Sequence, residues 1–405
     1  MRDHTYRGHR TRTLDLPIAD GILHPDLLPD ELAREVSTPL RNHREPYVGV
    51  TADGTPVDGL YHLAETGLSH RKALDAATAY LDTLERYQLP VARLPMDSPD
   101  WRLWTNAFPV WTPKGLRLSR LTSPQREAAL AVIEASLSAE GYAAIRTAMK
   151  LNDALGDLIQ TYRDSLGEYT YQFTIFGEPS AEEPWGWQLA GHHVDVHCVF
   201  VGSQLVLAPV FLGAEPAQAW EDGPYAGVSL FERETEGGLA MRRSLTEDQE
   251  ERFLMGRSLR IADLPPEFAG PTGRQLSGAG QDNLVLPPEG ISGKELSREQ
   301  RQLLLELADV YIKRLPDGHA GLKRSQFEEH LGDTRFAWRG GHGDTSAFYY
   351  RIHSPVLLVE YDNEAGIFLD NDEAERFHVH TITREPNGND YGKNLLAQHY
   401  QRFHS

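Results

Sequence analysis

Residues 186–200 read G-W-Q-L-A-G-H-H-V-D-V-H-C-V-F. The apolar positions alternate as in a β-strand, yet His192, His193, Asp195 and His197 fall within six residues of it. Side chains alternate faces along a strand. One continuous strand over 188–201 therefore places His193, Asp195 and His197 on one face, and His192, Val194, Val196 and Cys198 on the other. Buried polar groups are costly without partners, so this face needs an explanation. Neutral imidazoles on one face can share a metal ion, with a carboxylate from elsewhere completing the set. The alternative is a solvent-facing or merely hydrogen-bonded polar surface. Both His192 and His193 can ligate one ion only if the strand bulges after Gly191. Without a bulge, His193 faces the cavity together with His380 and Glu360, and His192 lies behind it.

Working outward, residues 168–176 (E-Y-T-Y-Q-F-T-I-F) and 204–211 also read as strands, the latter joined to the first stretch by a Gly202-Ser203 hairpin turn. Upstream the period is helical. Ser69 can cap a helix carrying Ala73, Leu74, Ala77, Tyr80 and Leu81, and Ser123-Pro124 opens another to Leu137. A further helix is expected over 139–165, bent at Gly156. Residues 1–58 read as an irregular N-terminal extension, and 59–405 as one large unit with halves at about 59–213 and 297–403. Between the halves, 214–296 is loop-rich, with one short helix opened by Thr246-x-x-Gln249. Ser297-x-x-Gln300 opens a helix through Leu315, another covers 320–331, and strands follow at 347–352, 355–362 and 376–383. The expected class is α+β, with helices around two largely antiparallel sheets. Its repeated order, helices before histidine-bearing strands, hints at a duplicated arrangement.

The second half repeats the chemistry. In F-H-V-H-T-I, His378 and His380 share a strand face. Glu360 follows the apolar run Val356–Val359, which makes it a core ion-pair partner or a ligand. His353 precedes it, and Arg384, Asp390 and His399 follow the H-x-H. Arg384 can hold a substrate anion through paired hydrogen bonds, or can pair with Asp390 in a turn.

These segments resemble a family. The run F-G-E-P-S-A-E-E-P-W-G-W-Q-L-A-G-H-H is similar to the signature of a large bacterial and fungal family known as domain of unknown function number thirty-five hundred. The pieces D-G-L-Y-H-L-A-E-T-G, P-V-F-L-G-A-E-P, Y-Y-R-I-H-S-P-V-L-L-V-E-Y and H-V-H-T-I-T-R-E-P-N-G-N-D-Y-G fit the same pattern. The resemblance spans about 47–403 and brings no reaction with it. It implies site roles for His192, His193, Glu360, His378, His380 and Arg384.

The composition narrows the function. A formal charge of −19 argues against general nucleic-acid or anionic-membrane binding. The one cysteine, Cys198, excludes an intrachain disulfide and multi-cysteine metal sites, and its apolar setting marks it as core. No G-x-S-x-G elbow, Walker A loop or dinucleotide fingerprint is present. The N-terminus lacks a signal-like apolar run, so a cytoplasmic location is expected. The remaining reading is a histidine site for a divalent transition metal (zinc, manganese or iron) drawn from His192, His193, His197, His378, His380 and Glu360. Its leading expectation is hydrolysis of a small polar or amide-containing molecule by metal-activated water. Asp195 or Glu178 would act as general base and Arg384 as anion holder. A non-heme iron(II) oxygenase and a non-catalytic binding protein are the alternatives. Trp185, Trp187, Tyr349 and Tyr350 suit either an aromatic-lined pocket or the core.

Overall fold

The alternation of apolar and polar residues along eight strands builds one sheet with two unlike faces. The computed structural model describes residues 5–12, 14, 18–19, 22–23, 37–106, 108, 114–220, 223–268 and 275–404. Its principal elements are α1 (Arg71–Asp82), α2 (Ser123–Ser136), α3 (Ala139–Ile159), β1 (Gln172–Phe176), β2 (Trp185–Gly191), β3 (Val194–Val201) and β4 (Gln204–Ala214). There follow α4 (Glu232–Ser244), α5 (Arg298–Ile312), α6 (Asp317–Glu329), β5 (Arg335–Gly340), β6 (Phe348–His353), β7 (Leu358–Glu364), β8 (Glu375–Arg384) and α7 (Lys393–Phe403). The protein is of the α+β class.

Strands β1–β4 form one antiparallel meander and β5–β8 another. Their last strands, β4 and β8, pair antiparallel with Val210 opposite Thr383 and Gly213 opposite His380. The two expected sheets are thus joined edge to edge in one twelve-stranded sheet, with short strands such as Arg93–Leu94 and Leu254–Gly256 at its margins. The order across the centre is 5-6-7-8-4-3-2-1. Each half contributes helices and then a meander, and no sequence repeat accompanies that order.

One face carries Trp185, Trp187, Leu189, Val194, Val196, Cys198, Leu212, Tyr350, Val359, Tyr361 and Val379, packed in one core with the helices. Trp185, Trp187 and Tyr350 are therefore core residues, and Tyr350 also meets Tyr311 hydroxyl to hydroxyl at 2.6 Å. By strand parity the other face carries Gln188, Asp195, His197, Phe211, Gly213, Glu360, Asp362, His378, His380 and Arg384, all of which are buried. Loops cover this face. Trp101 stacks on Phe176 at 3.8 Å, and Trp104 packs with Phe211 and Ile382. Loops suit a polar face, because their free backbone amides and carbonyls can satisfy buried side chains.

Several local expectations shift. Thr122, not Ser123, caps α2, in a capping box with Gln125. Helix α3 stops at Ile159, where Gln160 takes φ +54°. The helix runs on through Gly156, where a Cβ would lie 2.0 Å from the Leu166 carbonyl, so the glycine admits the returning chain. Helix α4 lies in the stretch expected to be loop-rich, and strand β5 in one given no element; α4, E-R-E-T-E-G-G-L-A-M-R-R-S, is polar enough to have hidden its period. In the N-terminal extension, Thr5–Tyr6 pairs with His9–Arg10, while 1–4, 13, 15–17, 20–21 and 24–36 lie outside the described residues. Parts of two expected loops, at 107, 109–113 and 269–274, lie outside them too. Among the described residues no helix is long and apolar enough to cross a membrane.

Candidate metal centre

The expected strand over 188–201 is two strands. Gly191 pairs with Val194, and His192-His193 is the two-residue turn between β2 and β3. His193 adopts φ +63°, a conformation in which histidine is enriched among non-glycine residues. The turn is pinned on both sides: the His193 carbonyl accepts from Gly213 N–H at 2.8 Å, and its N–H donates to Asn106 O at 3.4 Å. Neither strand alternation nor a bulge sets these two side chains. Tight reversal stacks them, ring on ring, at 3.8 Å.

That turn brings His193 over the seam between β4 and β8. His380 Nε2 lies 3.2 Å from His193 Nε2 and 3.1 Å from His378 Nε2. A tetrahedral ion with nitrogen ligands at about 2.0–2.1 Å holds those nitrogens roughly 3.3 Å apart. His380 therefore stands at ligand spacing from both His193 and His378, the three ligand atoms lie within 4.8 Å of one another, and all three residues are buried. Burial, together with the neighbouring imidazoles of His192, His380 and His378, holds the His193 pKa well below its usual value. A neutral ring with a free lone pair is the ligating form.

Outer contacts orient the rings. His378 Nδ1 meets the Ala365 carbonyl at 2.7 Å, which fixes a proton on Nδ1 and leaves Nε2 as the lone-pair nitrogen. On the other side of His380, Nδ1 faces Asp362 Oδ1 at 3.6 Å. His192 backs His193 and is itself held through Nδ1 by Asn152 Oδ1 at 2.8 Å. Burial pushes the His192 pKa down to about 3. Asp362, Glu364 and His380 also form a group whose ligand atoms lie within 4.8 Å of one another. Gly213 makes room beneath the rings, since a Cβ there would stand 2.7 Å from His380 Cδ2 and 3.0 Å from His193 Cδ2. Gly213→Ala is expected to rotate both imidazoles and weaken metal binding by about 10–100-fold. Equilibrium dialysis against zinc measures this, and unchanged affinity would show that the rings do not need that space.

Other expected site residues have different surroundings. His197 lies on β3 with Nδ1 2.8 Å from the Pro209 carbonyl and Nε2 2.5 Å from Gln188 Nε2, edge-on to Tyr391. Both nitrogens are engaged away from the cluster. Burial pushes its pKa down to about 3, so it folds neutral while the unfolded chain protonates near pH 6.5. The unfolded state binds the extra proton, so this contribution is complete above about pH 6.5 and is lost as pH falls toward 3. His197→Gln is expected to keep full metal content and to flatten the fall in Tm between pH 7 and 4.5, measured in chelator. An equally steep fall would count against this assignment.

Glu360 is not at the cluster. Its carboxylate accepts from Leu276 N–H at 2.9 Å, Ser277 N–H at 2.8 Å, the Ser277 hydroxyl and the Tyr349 hydroxyl at 2.7 Å. Four donors saturate it, so it anchors the covering loop. Arg384 likewise has no free face. It donates to Asp282 at 2.9 Å, Asp390 at 2.8 Å and the carbonyls of Ser277 and Gly278 at 2.6 and 2.9 Å. The Asp390 pairing holds, and four of the five N–H donors are used, so no pair of donors is left for bidentate anion binding. Asp282 also receives Arg102 Nε at 2.9 Å. Against the raising effect of burial, the two guanidiniums keep Asp282 below the usual carboxylate range. Asp390 meets only one, and burial lifts it to about 6.

Glu178 is exposed and pairs with Arg93, away from the histidines. Asp195 is fully buried, and burial raises its pKa well above the carboxylate range despite Lys114 and the Gly191 amide. Asp362, Glu364, Gly213 and Asn152 were not singled out from sequence. Asp362 had a signal: it shares strand parity with Glu360 in L-L-V-E-Y-D. A cleft of about 310 Å³, lined by Leu205, Val206, His319, Lys323 and Glu385, lies at the far end of β4, roughly 25 Å from Gly213 at about 3.4 Å per residue. None of His193, His378 and His380 lines it.

Comparison with protein families gives a match over residues 66–393 to the family described as Protein of unknown function (DUF3500). The chain belongs to this family. Comparison with curated proteins and with solved structures gives no match.

Proposed function

We propose that His193, His378 and His380 hold one divalent transition-metal ion, and that the protein uses it to activate water for hydrolysis of a small polar or amide-containing molecule. The placing of His380 Nε2 3.1 Å from His378 Nε2 and 3.2 Å from His193 Nε2, with the three ligand atoms within 4.8 Å of one another, carries the reading. Three neutral ligands leave the ion its full charge, and such an ion lowers the pKa of a bound water and polarises a carbonyl oxygen. Asp362 and Glu364 group with His380, and Asp362 faces its Nδ1, on the side of the ring away from the converging Nε2 atoms, where it backs that ligand and does not reach the ion's water. A cytoplasmic setting fits this reading.

Protein purified without a histidine tag is expected to hold about one metal equivalent per chain, and the metal-loaded form to cleave members of an amide and ester panel that the chelated form does not. Negligible metal, with no thermal shift on adding zinc, manganese or iron(II), would remove the metal reading. Asp362, Glu364 and His380 form a separate histidine–carboxylate group, and an iron(II) oxygenase centred on that group is the second reading. Iron as the retained metal and substrate-dependent oxygen consumption would select that alternative. An ion with no exchangeable water would point to a closed, non-catalytic site.

A further inference from the structure

We infer that the protein carries a second transition-metal site at its C-terminal helix, built from Glu183, His399 and His404. Glu183 sits in the loop between β1 and β2, His399 on α7, and His404 is the residue that ends α7. His404 Nε2 lies 3.2 Å and His399 Nε2 3.7 Å from the same carboxylate oxygen, Glu183 Oε2. Bonds of about 2.0–2.2 Å to nitrogen and oxygen place tetrahedral ligands roughly 3.3–3.5 Å apart. The two distances bracket that spacing, and the three ligand atoms lie within 4.8 Å of one another.

A plain ion pair would need only one imidazole. Here both turn the same nitrogen to one oxygen. His399 is 4% exposed, and its Nε2 has no hydrogen-bond partner among the described residues. A buried ring nitrogen aimed at a carboxylate from beyond hydrogen-bonding distance leaves a polar atom unsatisfied, which an ion between them corrects. The ligand set, two imidazoles and a carboxylate, suits zinc, copper or nickel. Unlike the buried cluster, this site reaches water: the side chains of Glu183 and His404 are 57% and 43% exposed. Its ion is therefore exchangeable and keeps an open position.

The spacing concealed it. Residues five apart on a continuous helix lie about 140° apart around the axis. Helix α7 stops at Phe403, and His404, at φ −123°, swings back toward the His399 side, the two rings lying 5.4 Å apart. An ion there ties the last turn of α7 to the β1–β2 loop. Leu395 and Leu396 on the same helix pack with Tyr61, Trp101 and Val199.

The test is zinc titration of the untagged full chain by calorimetry, comparing wild type with Glu183→Gln, His404→Ala and His193→Ala. Wild type is expected to show two classes of site. Glu183→Gln and His404→Ala, both surface changes, are each expected to lose the exchangeable class by at least tenfold and to keep the other. His193→Ala is expected to do the reverse, so failure of the buried site and failure of this one give different patterns. Should the buried site bind nothing, wild type would show one class, and Glu183→Gln would still remove it. Zinc binding by Glu183→Gln and His404→Ala that matches wild type in number and affinity would overturn the inference.

Discussion

His193→Ala is expected to leave purification essentially free of metal, with affinity lowered more than about 100-fold, while His192→Ala loses only about 10–100-fold, the range for a residue behind a ligand. The difference follows from the turn. His193 Nε2 is one of three converging nitrogens, whereas His192 stacks on its ring and is held by Asn152. Losing His193 removes a ligand. Losing His192 removes only the support that fixes the ligand's ring. His380→Ala should match or exceed His193→Ala, because His380 lies between the other two. Elemental analysis with equilibrium dialysis measures all three, and circular dichroism of the metal-free proteins verifies the fold. Full metal in His193→Ala alongside loss in His192→Ala would mean that His192 is the ligand.

Arg384→Met is expected to destabilise the protein by about 3–5 kcal/mol, the usual cost of removing one partner from a buried ion pair. The guanidinium is completely buried and donates to two carboxylates and two carbonyls. Without it Asp390 loses its cation and Asp282 keeps only Arg102, while the Ser277 and Gly278 carbonyls lose a shared donor. Lysine should rescue little, since one ammonium cannot span four acceptors in that planar arrangement. Urea unfolding gives the loss in stability, and metal content of the folded fraction should stay unchanged. A normally stable Arg384→Met that lost metal or activity would return Arg384 to the site.

What was legible in the sequence was whatever depends on near neighbours. The H-x-H of β8 has the strand period, so His378 and His380 share a face by backbone geometry alone. The apolar parity of β2, β3 and β8 likewise marked the helix-packed face. Glu360 was ambiguous because its partners lie in the 276–277 segment, more than 80 residues away in sequence. An isolated carboxylate after an apolar run looks the same whether loop amides or a metal will satisfy it. Arg384 was ambiguous for the same reason.

The sequence by itself determined the α+β class, the family membership, the β8 histidine pair and the buried cysteine, since composition, period and motif are local properties of the chain. Only the tertiary structure decided that the two meanders join through β4 and β8 into one sheet. It also decided that G-H-H is a turn and not a strand, and that His193, His378 and His380 meet. Those outcomes depend on which strand edges pair and in what register. Hydrogen bonding between segments some 170 residues apart sets that pairing, as between Leu212 and Thr381, and local side-chain patterning leaves it open.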